Sequence, residues 1–120
     1  MSARHRPALK RVYLPPAEED GRRVLVERLW PRGLTKAKAA VDLWLKEVAP
    51  SNELRRWFHA DPEPRWPEFR ERYRRELASD TEPLATLRRL IDGGPVTLLF
   101  AAHDEAHNSA VVLKEWLDDG

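Results

Sequence analysis

Pro95–Trp116, PVTLLFAAHDEAHNSAVVLKEW, is the stretch on which the fold turns. Val96 to Ala102 is an apolar run containing β-branched residues, bounded by Gly93-Gly94-Pro95, and reads as a strand buried on both faces. Beyond it lies a polar cluster, His103, Asp104, His107 and Asn108. Ala106, Ala110, Leu113 and Leu117 then recur at spacings of three and four, the signature of one helix face. A buried strand feeding directly into a helix is the building unit of an α/β sheet. Ligands of such sheets bind beyond the carboxyl ends of the strands, where this polar cluster falls.

Working outward, the sequence predicts three further strands. Leu9 to Leu14 alternates weakly, and Asp20-Gly21 marks a turn after it. Arg22 to Leu29 alternates with Val24, Val26 and Arg28 on one side and Leu25, Glu27 and Leu29 on the other. The linker between these two is too short for a crossover helix, so direct pairing would make them antiparallel. Val41 to Val48 is the third strand, preceded by a short helix over Lys36 to Ala40 that Thr35 can cap.

Helices fill the interval before Pro95. Ser51 or Asn52 caps one whose Leu54, Trp57 and Phe58 form a stripe. Asp61-Pro62-Glu63-Pro64 breaks it, and Pro67 suits the first turn of a longer helix running to about Ala78. There Trp66, Phe69, Tyr73 and Leu77 face inward, with Glu68/Arg72 and Glu71/Arg75 spaced for surface ion pairs. A third helix starts at Thr81 and Pro83 and stops at Gly93-Gly94. The expected architecture is a single small α/β domain over residues 9–120, with a mixed four-stranded sheet flanked by helices and a basic tail at residues 1–8.

Composition bounds the function. At 120 residues the chain is long enough for one real core. A net charge of +1 gives no reason to expect a polyanion-binding surface, and acids interrupt the arginines Arg70, Arg72, Arg74, Arg75, Arg88 and Arg89. Nucleic acid is therefore not an expected partner. Cysteine is absent, which removes disulfides and thiolate chemistry and makes a reducing cytoplasm the default. No apolar run approaches the ~20 residues that span a bilayer, so no membrane partner is expected.

Asp104-Glu105-Ala106-His107 spells a helicase box, but none of the five glycines builds the phosphate-cradling loop that such chemistry requires. His103 and His107 are spaced like the histidines of a zinc helix. With His103 at a strand end, their nitrogens would not meet on one metal, and only His59 and Asp61 offer a third ligand, so neither metal nor cofactor is expected.

Arg28 and Arg32 carry a stronger argument. An arginine within a valine- and leucine-rich strand is costly to bury without a partner. It either forms an internal ion pair with Glu27, Asp42 or Asp104, or joins Arg32 in gripping a carboxylate or phosphate. The helix start at Ser51 would add amide donors to such an anion, unless Ser51 is only a cap. His107 beside Asp104 is a candidate general acid/base oriented by a carboxylate, while Asn108 caps the last helix or meets ligand. Tyr73 belongs to the core stripe or reaches the site rim, and some of the five tryptophans, Trp30 first, can line a pocket.

These blocks, VLVERLWPRGLTKAKAAVDLWLKEVAPSNELRRWF, RWPEFRERYRREL and GPVTLLFAAHDEAHNSAVVL, resemble the YeaO-like proteins, short bacterial chains grouped as domain of unknown function 488. The resemblance runs from Arg11 to Leu117. It implies a compact α/β fold in the bacterial cytoplasm, and it supplies no activity. The family's motif blocks fall on Arg28, Trp30, Pro31, Arg32, Gly33, Pro50, Ser51, Trp57, Tyr73, Asp104, His107 and Asn108. Two positions depart from its pattern: Glu27 stands where the family has Asp, and His103 where it usually has Lys.

The resulting expectation is a small-molecule site for an anionic ligand at the carboxyl ends of the strands. Arg28, Arg32, Trp30, Ser51, Tyr73 and Asn108 would bind, and Asp104 and His107 would act on the ligand if the site turns over. The alternative is a non-catalytic protein-interaction or regulatory module. Oligomeric state is not legible in the sequence.

Overall fold

In the computed structural model, which describes residues 6–119, the chain alternates strands and helices. Strands Ala8–Arg11 (β1) and Arg22–Leu25 (β2) are followed by helix Lys36–Ala39 (α1) and the two-residue strand Leu43–Trp44 (β3). Three consecutive helices come next, Asn52–Ala60 (α2), Pro62–Ser79 (α3) and Thr81–Asp92 (α4). Strand Val96–Phe100 (β4) and helix Ser109–Asp119 (α5) complete it. The basic tail expected at residues 1–8 lies mostly outside the described residues; Pro7 is already buried and Ala8 opens β1.

The sheet order is β1-β4-β2-β3, and every pairing is parallel. The α/β class and the four strands agree with the sequence, but the mixed sheet does not. β1 and β2 never pair directly, because β4 lies between them and hydrogen-bonds both. Residues 12–21 form an irregular crossover with a 3₁₀ turn at Glu18–Asp20, so the connection returns the chain without an α-helix. The central place goes to the segment apolar on both faces: all five residues of β4 are buried.

Gly21 makes the crossover possible. It holds φ +63°, and a Cβ there would collide with the carbonyl oxygen of Pro95. Close by, the buried Asp20 carboxylate accepts from Lys10 Nζ (3.0 Å) and Arg23 Nη1 (2.6 Å). Arg23 also donates to the carbonyls of Ala39 (2.8 Å) and Ala40 (3.0 Å). One ion cluster thus ties β1, the crossover, β2 and α1 at the amino ends of the strands. The buried arginine of β2 is Arg23, 4% exposed, rather than Arg28, which lies beyond the strand end.

The two faces of the sheet are unequal. Val24, Val26, Val96, Leu98 and Phe100 join the large core beneath α2–α5, where Phe58, Phe69, Tyr73, Leu87 and Leu113 pack. Leu25 and Leu99 face a small cluster with Val12 and Ala39. β2 stops four residues short of the expected Leu29, and the expected third strand shrinks to Leu43–Trp44 before a 3₁₀ turn at Lys46–Val48. α3 starts at Pro62 rather than Pro67. Pro62 and Pro64 occupy a first turn whose amides need no intrahelical acceptor, so they start the helix instead of breaking it. Among the described residues, no helix is long and apolar enough to cross a membrane.

Candidate functional site

At the carboxyl end of the sheet, β2 and β4 let go of each other through a side chain. The last backbone bond between them runs from Val26 N–H to the Leu99 carbonyl (3.2 Å). Beyond it the amide of Ala101 donates to the Glu27 carboxylate (3.1 Å), so the two chains part with Glu27 wedged between. Arg28 follows, with Nη2 on the Ala49 carbonyl (3.0 Å) and Nε on the Pro50 carbonyl (3.3 Å). These bonds hold the segment before α2 against the end of β2.

A cleft of about 220 Å³ opens at this point. Glu27, Arg28 and Ala101 form its floor, α2 supplies Arg55, Phe58 and His59, and His107, Asn108 and Ser109 close it from the start of α5. The turn carrying His107 is shaped by Asp104. Its Oδ1 accepts from the amides of Ala106 and His107 (2.9 Å each), and its Oδ2 lies 3.0 Å from His107 Nδ1. Asn108 is buried and caps α5: Oδ1 accepts from the Val111 amide (3.1 Å), and Nδ2 donates to the Asp104 carbonyl (2.8 Å).

Burial shifts a carboxyl and an imidazole of the cleft in opposite directions. Burial raises the Glu27 pKa, opposed by the Ala101 amide and the charge of Arg55. Burial and the same arginine lower the pKa of His59. Asp104, on the rim, is held below the usual carboxylate range by the amides of Ala106 and His107 and by the His107 ring. Nε of Arg55 is buried and has no hydrogen-bond partner among the described residues.

A second, wider groove of about 830 Å³ adjoins the cleft and shares Phe58, His59, Ala102 and His107 with it. Trp66, Pro62 and Pro67 of α3 form one wall, and Glu63, His103 and Asp104 lie along its edge. The Trp66 ring centroid is 5.1 Å from that of His107, edge to face.

The sequence-predicted residues divide between this place and others. Arg28, His107 and Asn108 line the cleft, and Asp104 lines the adjoining groove. Ser51 caps α2 through Leu54 N–H (3.2 Å), while its own amide (2.8 Å) and hydroxyl (2.6 Å) donate to the Glu76 carboxylate. The anion at that helix start is therefore the protein's own. Tyr73 is fully buried with its hydroxyl on the Val48 carbonyl, and burial raises its pKa well above 10.0. Trp30 donates to the Leu34 carbonyl (2.8 Å) and packs edge-on to Trp44, outside the cleft lining. Arg32 is exposed, outside the same lining, and its carbonyl accepts from the Tyr13 hydroxyl.

Two cleft residues, Glu27 and Arg55, had no ligand-binding role in the sequence reading, and His59 stood there only as a candidate third ligand of the zinc-like pair. Arg55, Phe58 and His59 stand at i, i+3 and i+4 and so share one helix face, a spacing that could have flagged them. Both histidines of the zinc-like pair precede α5, and among the described residues no three His, Asp or Glu side chains gather as a metal would require. The α3 pairs Glu68–Arg72 and Glu71–Arg75 form as spaced, and Arg70 and Arg74 both reach Glu115.

Residues 7–120 match the family model described as "Inactive DUF488-N3 subclade". The chain is 44% identical to the "Uncharacterized protein YeaO" of Escherichia coli (strain K12), over 90% of this chain and 93% of that one. It belongs to the YeaO-like DUF488 family. Within the family, "Uncharacterized protein Rv3073c" of Mycobacterium tuberculosis is also 44% identical, over 94% of each chain. No solved structure gives a significant match.

Proposed function

We propose that this DUF488 protein binds a small anion, carboxylate or phosphate, in the cleft at the carboxyl ends of β2 and β4, and does so without turning it over. The observation that carries the reading is the presence of two guanidinium groups, Arg28 and Arg55, on the lining of one cleft; Arg55 donates from Nη2 to Asn52 Oδ1 (3.4 Å). Arg28 lines the same cleft, and its two carbonyl bonds use Nε and Nη2, leaving Nη1 for an oxygen of the ligand. Glu27, on the same lining, is pushed by burial toward its neutral form, which repels an anion less than the carboxylate does.

The volume supports a small ligand, because about 220 Å³ lies below the ~300–1,000 Å³ usual for drug-sized molecules. The absence of turnover draws on the family description, in which the matching subclade is called inactive. Asp104 and His107 then serve as a hydrogen-bonding rim rather than as a general acid/base pair. The cysteine-free composition suits a cytoplasmic setting for such a ligand.

Thermal denaturation with inorganic phosphate or acetate, against sodium chloride at matched ionic strength, tests this reading. A melting temperature raised by the anion in the native protein, with the rise lost in Arg55→Gln, is the expected result. Equal curves in anion and chloride would remove the proposal.

Exposed Leu29, Leu43 and Trp44 favour a second reading as a protein-interaction module, since two of them form the short edge strand β3. Sedimentation of the native chain and of Trp44→Ser would decide it: identical monomeric profiles at all concentrations exclude self-association through this edge.

A further inference from the structure

The inner cleft does not stand alone, and its neighbour narrows the class of ligand. A bare phosphate or acetate is accommodated within the cleft of about 220 Å³ and has no use for the adjoining groove of about 830 Å³. The two share the wall residues Phe58, His59 and His107, so they lie directly beside each other. The groove wall is built from flat, rigid surfaces. Trp66 is partly buried, and Pro62 and Pro67 are exposed on the same helix. Trp66 is kept in place by Phe58 and Phe69, whose ring centroids are each 5.8 Å from its own.

We propose that the ligand is an aryl anion: a phosphate or carboxylate held by Arg28 and Arg55, joined to an uncharged ring lying in the groove beside Trp66. This rests on the anion site proposed above and deepens it.

The rim chemistry sets the character of the ring end. Asp104 stays ionised because two backbone amides and His107 stabilise its charge, and Glu63 lies along the same groove. Both would repel a second negative group there. The ligand is therefore anionic at one end only.

Binding of four probes to the native protein, followed by calorimetry, tests the inference: inorganic phosphate, phenyl phosphate, benzoate and terephthalate. Aromatic contact contributes enough for phenyl phosphate to bind roughly tenfold more tightly than inorganic phosphate. Benzoate should outbind terephthalate, whose second carboxylate meets Asp104 and Glu63. Phenyl phosphate against benzoate separates the phosphate from the carboxylate source.

Trp66→Leu should erase the advantage of phenyl phosphate while leaving inorganic phosphate binding intact. Should that variant not fold, the benzoate–terephthalate order in the native chain still decides. Equal affinity for inorganic and phenyl phosphate, terephthalate binding as tightly as benzoate, or an advantage that survives Trp66→Leu would overturn the aryl assignment and leave the anion site standing. If none of the four binds, the anion site itself falls, and this inference with it.

Discussion

Glu27 couples stability to pH and, through the proposed anion site, would couple both to ligand. Its folded pKa lies above its ordinary value of 4.5 because burial penalises the charged form. A carboxyl raised in this way contributes stability that is complete below the unfolded pKa and is lost as pH rises through the folded one. Glu27→Gln keeps an acceptor for the Ala101 amide and removes the ionisation. It should therefore melt higher than the native protein at neutral pH, with the difference vanishing as pH drops below the unfolded carboxyl range. Calorimetric melting across pH measures this, and a pH-independent difference would contradict it. The proposed anion should likewise bind more weakly as pH rises through the same folded pKa, and Glu27→Gln should flatten that dependence. Tyr73 presents the opposite case, a buried hydroxyl with a purely structural task. Tyr73→Phe leaves the Val48 carbonyl without its partner and should cost about 1–3 kcal/mol in urea denaturation, with anion binding unchanged.

At the scale of elements, two helix starts that look alike in sequence have different fates. Ser51 and Asn108 each cap a helix, but Glu76 of α3 reaches the first and occupies its amide end. Ser51→Ala removes the cap of α2 and one hydrogen bond to Glu76, so a loss of about 0.5–2 kcal/mol is expected. No change in anion affinity should accompany it; a weakened affinity would place the helix start in the site after all. The crossover between β1 and β2 gives a sharper contrast. Gly33 also has positive φ, +81°, but open space surrounds its missing Cβ, so Gly33→Ala should cost only the ~1–2 kcal/mol of a left-handed backbone. Gly21→Ala adds a collision with the backbone of Pro95 and should destabilise by clearly more. Paired chemical denaturation of the two variants checks the order.

For the whole molecule, the buried ion cluster and the proposed anion site sit at opposite ends of one sheet. The Asp20–Arg23–Lys10 cluster fastens the amino ends of the strands, and Glu27, Arg28 and Arg55 surround the cleft at the carboxyl ends. Arg23→Met strips the buried Asp20 of its closest partner and should cost about 3–5 kcal/mol by urea denaturation, leaving anion affinity per folded molecule unaltered. The local pattern carried much of this fold by itself: the apolar run at Val96–Phe100, the Leu54–Phe58 stripe and the Phe69–Tyr73–Leu77 face each report their own element, because periodicity is written along the chain. It also drew attention to Arg28, His107 and Asn108 as polar residues near strand and helix ends. Strand order was not written there. A short linker between β1 and β2 suggested antiparallel neighbours, and only the insertion of β4, buried along its whole length, made all the pairs parallel. Partner choice was not legible either, since Ser51 meeting Glu76 and Arg55 sharing a cleft with Arg28 depend on how the helices dock. Sequence alone determined which segments form and which faces they must bury, because those are local consequences of side-chain spacing. The tertiary structure decided which charges meet, because that depends on contacts between residues distant in the chain.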